Sequence, residues 1–261
     1  MGNADGSRNQ SDASACEGNN VGKDQNDQSH KVTISKPFYI GVFEVTQMQY
    51  KNITGKSPSE YKGEMRPVEH ISYDMIRGAS KGAQWPASSE VDKDSVIGRL
   101  RAKTRIATFD LPTEAQWEYA CRAGTTSDFN NGGNTNEDLK QVARWKQTDG
   151  HKRKHATVGI YMQNSWGLYD MHGNVRELCL NWTGPLSFGT DPKGETTASQ
   201  RVCRGGNWSN GDPSKLSSFG RETVYPSKGG GFTGFRLAIQ PEEYRVYAFE
   251  KNAALHPERL A

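Results

Sequence analysis

The 261-residue sequence has no long apolar run and no strong excess of charge of either sign. A helix that spans a bilayer needs about 20 consecutive apolar residues, and the sequence contains no such run. The 33 Lys and Arg residues against 30 Asp and Glu residues leave a formal net charge of +3, which is too small to indicate nucleic-acid binding. The first residues lack the pattern of a signal peptide, and Gly6 stands where N-myristoylation requires Ser or Thr. The sequence therefore predicts no transmembrane segment and no nucleic-acid partner.

Cysteine is also scarce, with residues only at Cys16, Cys121, Cys179 and Cys203. None of them belongs to a C-x-x-C pair, and the histidines do not add a zinc-binding spacing, which excludes the common structural zinc motifs. We expect Cys121 and Cys179 to be buried free thiols, because they lie in apolar segments and free cysteine is usually buried. Cys16 lies in a polar segment and is expected to be exposed.

The two ends of the chain differ in composition from its middle. Residues 1–30 are rich in Asn, Asp, Ser, Gly and Gln and contain no aromatic residue, so they cannot bury enough apolar surface to offset chain entropy. The sequence therefore predicts a disordered tail at 1–30 and a single domain at 31–240. The remaining residues, 241–261, form a tail that is compatible with a helix.

Helix-start signals occur at three places in the domain. Thr46 and Gln49 have the spacing of a capping box, as do Thr113 and Gln116, and Ser72 is a further N-cap candidate. These signals predict two main helices, with an additional helix at about 73–81. Residues 86–105 are charged and are expected to leave the core, and residues 125–140 read as an Asn/Gly-rich loop.

The order of these elements indicates the fold class. Strand-like alternation begins near Val32, but strands and helices do not alternate as in βαβ units, and no G-x-G-x-x-G motif occurs. The sequence therefore predicts an α+β domain with short strands, two main helices and long structured loops.

The segment between Trp208 and Phe235 has neither helical nor strand periodicity. It mixes Gly, Ser, Asn and Asp with aromatic residues. Long irregular loops inside compact domains are usually functional, so we expect the functional site in this segment.

Six short segments carry a resemblance to a known family. They lie at 38–47, 67–72, 111–124, 167–177, 204–208 and 234–238, and include Leu-Pro-Thr-Glu-Ala-Gln-Trp, Gly-Asn-Val-Arg-Glu, Arg-Gly-Gly-Asn-Trp and Gly-Phe-Arg. In this order they resemble the formylglycine-generating-enzyme (sulfatase-modifying factor) superfamily over about residues 31–240. The resemblance implies a C-type-lectin-like fold with a small twisted antiparallel sheet.

The resemblance also bears on catalysis. Family members that oxidise a sulfatase cysteine bind copper through two cysteines shortly after the Arg-Gly-Gly segment, since soft thiolates suit Cu(I). The corresponding positions fall near Asn210 and Lys215, and no cysteine follows Cys203. We therefore predict no catalytic residue, although an oxidoreductase of this class that uses other residues stays an alternative.

His151 and His155 lie four residues apart in Lys/Arg-rich sequence and are expected on a solvated face rather than at a metal.

The C-terminal part of the domain most resembles the variable proteins of diversity-generating retroelements, some of which have this scaffold. Their mutagenised Asn codons yield Asn, Asp, Ser, Gly, Tyr, Cys, Phe, Thr and Val among others. The resemblance implies a variable ligand-binding surface at Cys203, Asn207, Ser209, Asn210, Gly211, Asp212, Phe219, Gly220, Thr223, Val224, Tyr225, Gly229, Gly230, Gly231 and Phe232. Lys215 and Lys228 would need another codon. An ordinary Gly-rich loop with no binding role stays an alternative.

A structural calcium ion is a further implication of the resemblance, and no other cofactor is expected. Its ligands would be the side chains of Asp170 and Glu177 and the carbonyls of Gly173 and Val175. The alternative is that the two carboxylates hydrogen-bond to backbone within the loop.

These observations favour a non-enzymatic display protein that binds a protein or surface ligand. It is expected as a monomer at the cell surface or outside the cell. A calcium-dependent lectin ranks lower, because neither Glu-Pro-Asn nor Gln-Pro-Asp occurs.

Overall fold

The computed structural model describes residues 2–4, 31–148 and 154–241. The α-helices in these ranges are α1 (Gln47–Thr54), α2 (Tyr73–Arg77), α3 (Val96–Thr104), α4 (Glu114–Arg122) and α5 (Asn136–Val142). The strands are β1 (Gly2–Ala4), β2 (Val32–Thr33), β3 (Phe38–Ile40), β4 (Phe109–Asp110), β5 (Ala143–Arg144), β6 (His172–Gly173), β7 (Arg176–Trp182), β8 (Gly189–Thr190), β9 (Arg201–Arg204), β10 (Arg221–Val224), β11 (Thr233–Gly234) and β12 (Ala238–Ile239). Short 3-10 helices lie at Gly82–Gln84 and Pro213–Leu216. None of the described helices has the length and apolar character that a membrane span requires.

Two four-stranded sheets organise the domain, in the orders β1-β3-β12-β4 and β10-β9-β7-β11. In the first, β12 pairs with β3 and places Ala238 opposite Ile40, which joins the two ends of the domain. In the second, β7, β9 and β10 are antiparallel, and β11 pairs with β7 in parallel. Helices and strands are mixed without βαβ repeats, so the α+β prediction is confirmed.

The predicted capping boxes are confirmed at the first and fourth helices. The side chains of Thr46 and Thr113 accept hydrogen bonds from the N3 backbone amides, and the N3 glutamines bond back to the cap residues. Ser72 caps α2 as predicted, but the helix ends at Arg77 because Gly78 adopts a φ of 104°. Local sequence therefore fixes where these helices begin better than where they end.

Two predictions about irregular segments were wrong. Residues 86–105 contain α3, whose Val96 and Ile97 are buried in the largest core cluster. Residues 125–140 contain most of α5, which Thr135 begins through a capping box with Asp138. Both helices are short, so burial of a few apolar side chains stabilises them more than any long amphipathic pattern does. The described residues thus contain five α-helices, where two main helices and one additional helix were predicted.

The predicted tails lie largely outside the described residues, and Cys16 lies there too. The exception is Gly2–Ala4, which pairs with Phe38–Ile40 as an edge strand and corrects the prediction of disorder at those positions. Strand pairing of this kind uses backbone groups and does not require apolar side chains. The helix considered for 242–254 is not described.

The core contains the predicted buried thiols. Cys121 and Cys179 are free and fully buried in a cluster with Trp117 and Met171, between α4 and the strands β7 and β9. Burial raises the pKa of Cys121 to about 12 and that of Cys179 well above its ordinary value. Both thiols are therefore protonated packing groups, as predicted.

Candidate ligand-binding surface

Two loops, at 205–220 and 225–232, flank β10 and include most of the segment expected to be functional. The prediction that this segment has no regular structure was wrong at β10, at the 3-10 helix Pro213–Leu216 and at β11. Strand β10 pairs with β9 and sets Glu222 opposite Cys203 and Thr223 opposite Val202. Pairing with the edge of β9 therefore fixes an extended conformation in Arg221–Val224, although the sequence of these four residues has no strand-like pattern.

A buried arginine holds the end of the first loop. Arg204 donates hydrogen bonds to the carbonyl oxygens of Ser218, Phe219 and Gly220 at 3.0, 2.8 and 3.0 Å. Its charge is balanced by a close contact with the carboxylate of Glu118. Three backbone acceptors on one guanidinium fix the path of the loop without involving its side chains.

A buried histidine, for which no sequence pattern indicated a role, holds the middle of the same loop. The backbone N–H of Asn130 donates to Nε2 of His172 at 3.0 Å, so the ring proton lies on Nδ1 and is donated to the carbonyl of Leu216 at 2.6 Å. Burial lowers the pKa of His172 to about 4. The imidazole is therefore neutral near pH 7 and keeps one tautomer.

The second loop is held by the indole of Trp208, from the first loop, and by the backbone N–H of His70. Nε1 of Trp208 donates to the carbonyl of Gly231 at 3.0 Å, and its ring centroid lies 5.1 Å from that of Phe232. The backbone N–H of His70 donates to the carbonyl of Gly230 at 3.1 Å. The loop is thus attached at two neighbouring carbonyls.

Most of the predicted surface residues are accessible. The exposed ones are Ser209, Gly211, Asp212, Tyr225, Gly229 and Phe232. The half-buried ones are Asn210, Phe219, Thr223, Gly230 and Gly231. The loops therefore present small, polar and aromatic groups to solvent, while hydrogen bonds from buried residues hold their backbone.

Four of the predicted surface positions are buried, and for them the prediction was wrong. Cys203 and Val224 lie in strands and pack in the main core. Asn207 is used internally, since its Oδ1 accepts from the N–H of Ser209 at 2.9 Å. A Cβ atom on Gly220 would lie 2.6 Å from the carbonyl oxygen of Lys215, so only glycine fits there. These four residues support the loops rather than form their outer surface.

The expected calcium ligands are engaged in other ways. Asp170 accepts from the backbone N–H of Gly159 at 2.6 Å, which is the alternative considered for it. Both carboxylate oxygens of Glu177 bind Arg236, at 2.6 and 2.7 Å, and one of them also accepts from Nε1 of Trp117 at 2.7 Å. A calcium ion would have to displace this guanidinium.

The backbone groups beside these carboxylates also have partners. The N–H of Gly173 donates to the carbonyl of Gly205 at 2.7 Å, and the N–H of Val175 donates to the carboxylate of Glu44 at 3.0 Å. Burial raises the pKa of Asp170 to about 6 and that of Glu44 well above its ordinary range. Across the described ranges, no group of three or more His, Cys, Asp or Glu residues is arranged to hold a metal. Glu177, with both carboxylate oxygens on Arg236, does not fit the role of a calcium ligand.

The positions that would hold the copper-binding cysteines lie in the first loop. Oδ1 of Asn210 accepts from a backbone N–H within the loop at 2.6 Å, and Lys215 is exposed. The described cysteines are all buried, and burial raises the pKa of Cys203 to about 12. None of them offers an accessible thiolate.

His155 corrects another prediction. It was expected on a solvated face, but only 1 % of it is exposed, and its ring lies edge-on to Tyr61 at 5.6 Å. Its Nε2 is 3.4 Å from the buried carboxylate of Glu69. His151 lies outside the described residues.

Comparison with known proteins agrees with this architecture. A family model described as sulfatase-modifying factor enzyme 1-like domain matches residues 5–241. The chain is 30% identical over 206 residues to the chaperone protein LppX of Paenibacillus barcinonensis, covering 68% of the chain and 71% of the relative. It is 33% identical over 156 residues to the formylglycine-generating enzyme of Streptomyces coelicolor, covering 52% of the chain and 48% of the enzyme. The matched part thus spans about half the length of that enzyme.

Solved structures show the same fold. Treponema denticola variable protein 1 superposes with a TM-score of 0.70 and 26% identity, covering 83% of the chain and 88% of that protein. PvdO from Pseudomonas aeruginosa superposes with a TM-score of 0.62 and 23% identity over 81% of the chain and 84% of PvdO, which is a likeness of fold. The predicted C-type-lectin-like, formylglycine-generating-enzyme-like fold is confirmed.

Proposed function

The chain belongs to the family of sulfatase-modifying factor enzyme 1-like domains, and we propose that within it the protein displays a ligand-binding surface rather than acting as an enzyme. One observation carries the proposal: in residues 205–232, buried residues hold the loop backbone while several loop side chains face solvent. Arg204, His172 and Trp208 hold loop carbonyls from below, while Tyr225 and Phe232 are exposed. A surface built in this way tolerates changes of side chain without loss of the fold.

The exposed residues are suited to protein recognition. Tyr225 is 53% exposed and Phe232 is 39% exposed, and such rings offer a large contact area at a low cost in conformational entropy. Ser209 adds an exposed polar group that can adapt to different partners, whereas the exposed carboxylate of Asp212 already accepts from the N–H of Ser214 at 3.0 Å. We propose a protein or a cell-surface molecule as the ligand.

The binding proposal is tested by a loop variant against a matched control. Ser209, Tyr225 and Phe232 are replaced together by alanine, and in the control the exposed Phe188 and Met75 are replaced instead. Both variants and the original protein are immobilised and probed with an array of purified extracellular proteins. We expect ligands of the original protein to be retained by the control and lost by the loop variant. Ligands that the loop variant retains at full strength would contradict the proposal.

We further propose that the loops are diversified by a retroelement. Support comes from the likeness to Treponema denticola variable protein 1, whose name describes it as variable, and from the loop composition. The neighbouring DNA should contain a near-identical template repeat and a reverse transcriptase gene. Their absence would end the retroelement proposal and leave the binding role to the array experiment.

The enzymatic alternative is favoured by the likeness to formylglycine-generating enzymes. It is opposed by Asn210 and Lys215 at the positions of the copper-binding cysteines and by the burial of the described thiols. Incubation with copper and a cysteine-containing sulfatase peptide should yield no aldehyde by mass spectrometry. Aldehyde formation would show that other residues perform the oxidation.

A cell-surface or extracellular location follows from this proposal, because a diversified receptor needs access to its ligands. Labelling of intact source cells with an impermeant biotin reagent should recover the protein. Labelling only after lysis would contradict this location.

A further inference from the structure

A basic cleft lies beside the candidate ligand-binding surface, at the segment where His155 is buried. Its volume is about 310 Å³, and Arg66, Arg144, Lys154 and His155 contribute to its walls. We propose that this cleft binds an oxyanion, either a carboxylate or a sulfate-like group.

The charge of the cleft favours an anion. Three of its wall residues are Lys or Arg, and Glu69, which is 3.4 Å from His155, is the buried carboxylate that contacts this wall. Among the described residues of the wall and its contacts, three cationic side chains stand against this one carboxylate when the imidazole is neutral. Guanidinium and ammonium groups form their strongest hydrogen bonds with carboxylate and sulfate-like oxygens.

The arginines also hold the backbone that shapes the cleft. Nε and Nη2 of Arg144 donate to the carbonyl of Lys154 at 3.1 and 2.8 Å. Arg66 donates to the carbonyl of His155. The basic groups are therefore kept together by fixed backbone contacts rather than by chance proximity on a surface.

A buried polar atom in the wall lacks a partner. Nδ1 of His155 makes no hydrogen bond to any described residue, although it is shielded from solvent. Since Nε2 faces the carboxylate of Glu69, which only accepts hydrogen bonds, Nδ1 of the neutral ring is an acceptor, and it is the Lys and Arg side chains of the wall that would bind the anion. The cleft is much larger than the roughly 30 Å³ that one water occupies in the liquid, so it has room for a polyatomic anion.

The position of the cleft connects it to the candidate ligand-binding surface. The Tyr61 ring lies edge-on to the rings of His155 and Trp208, with centroid distances of 5.6 and 6.0 Å. Tyr61 alone therefore lies between His155 in the cleft wall and Trp208 in the candidate ligand-binding surface. A ligand held by the loops could place an acidic group in the cleft, and this part of the inference rests on the proposed function. Binding of a small free oxyanion in the cleft does not depend on the proposed function.

The test measures binding of small anions directly. Equilibrium dialysis with radiolabelled sulfate and, separately, radiolabelled acetate is performed in sodium chloride at constant ionic strength. Lys154→Gln and Arg66→Gln remove one cleft charge each, and Lys146→Gln removes an exposed lysine near Gly211. We expect each cleft variant to bind roughly tenfold more weakly, as for loss of one charge-assisted hydrogen bond. The Lys146 variant should bind as the original protein does.

The outcomes separate the two proposals. Saturable binding of either anion that is weakened in the cleft variants alone supports the site, and the anion preferred identifies its chemistry. Absence of binding above the chloride background, or equal weakening in the Lys146 variant, overturns it. Lys154 is exposed, so its variant remains informative if Arg66→Gln fails to fold. If the protein binds an anion in the cleft but binds no protein on the array, the anion-site proposal stands and the proposed display function is contradicted.

Discussion

Trp208 and Tyr225 should respond to substitution in opposite ways, although both are aromatic residues of the candidate surface region. Trp208 is 9% exposed and donates to the carbonyl of Gly231, whereas Tyr225 is 53% exposed. Trp208→Ala should lower the free energy of unfolding by roughly 3–5 kcal/mol, as for other buried aromatic residues. Tyr225→Ala should change it by no more than about 0.5 kcal/mol, as for surface substitutions.

The assay is equilibrium unfolding in urea, followed by circular dichroism because the variants differ in fluorescence. Equal m values would show that the same surface is exposed on unfolding in each variant. Trp208→Phe separates the two contributions, since it keeps an aromatic ring and removes the Nε1 donor to Gly231. We expect this variant to lose roughly 0.5–1.5 kcal/mol, the net contribution of one hydrogen bond, because Gly231 is only half-buried.

One result would refute the reasoning behind the candidate surface. If Tyr225→Ala destabilises the protein as much as Trp208→Ala does, the loop side chains belong to the core and cannot vary freely. In that case the separation between a fixed backbone and replaceable side chains does not exist.

Three further predictions concern buried ionisable groups. Because the pKa of His172 falls to about 4 in the fold, the original protein should lose roughly 3 kcal/mol of stability between pH 6.5 and 4, and urea unfolding of His172→Gln should lack this loss. The pKa of Asp170 rises to about 6, so ionisation should destabilise the fold as pH rises from about 4 to 6. The melting temperature of Asp170→Asn relative to the original protein should therefore increase over that range, and a constant difference would contradict the assignment. Added calcium or a chelator should leave the melting temperature unchanged because Arg236 occupies Glu177, and a fall with chelator would restore the calcium hypothesis.

Local patterns in the sequence were sufficient for several elements. The capping boxes at Thr46 and Thr113 were predictable because each joins residues three positions apart. The α+β class and the family followed from short framework motifs in a fixed order. The helices α3 and α5 were missed because their stability depends on a few residues, such as Ile97 and Leu139, that are buried by distant parts of the chain.

The roles of individual site residues were decided only by the tertiary structure. The resemblance to variable proteins placed Cys203 on the variable surface, but pairing with β7 and β10 turns it into the core. His172 supports a loop carbonyl 44 residues away, and His155 faces a carboxylate 86 residues away. Such contacts leave no periodic signal, because they join single residues across large sequence separations. The sequence could therefore determine the fold and single out the segment that we propose as the binding surface, while burial and long-range hydrogen bonds determined which residues of that segment face solvent.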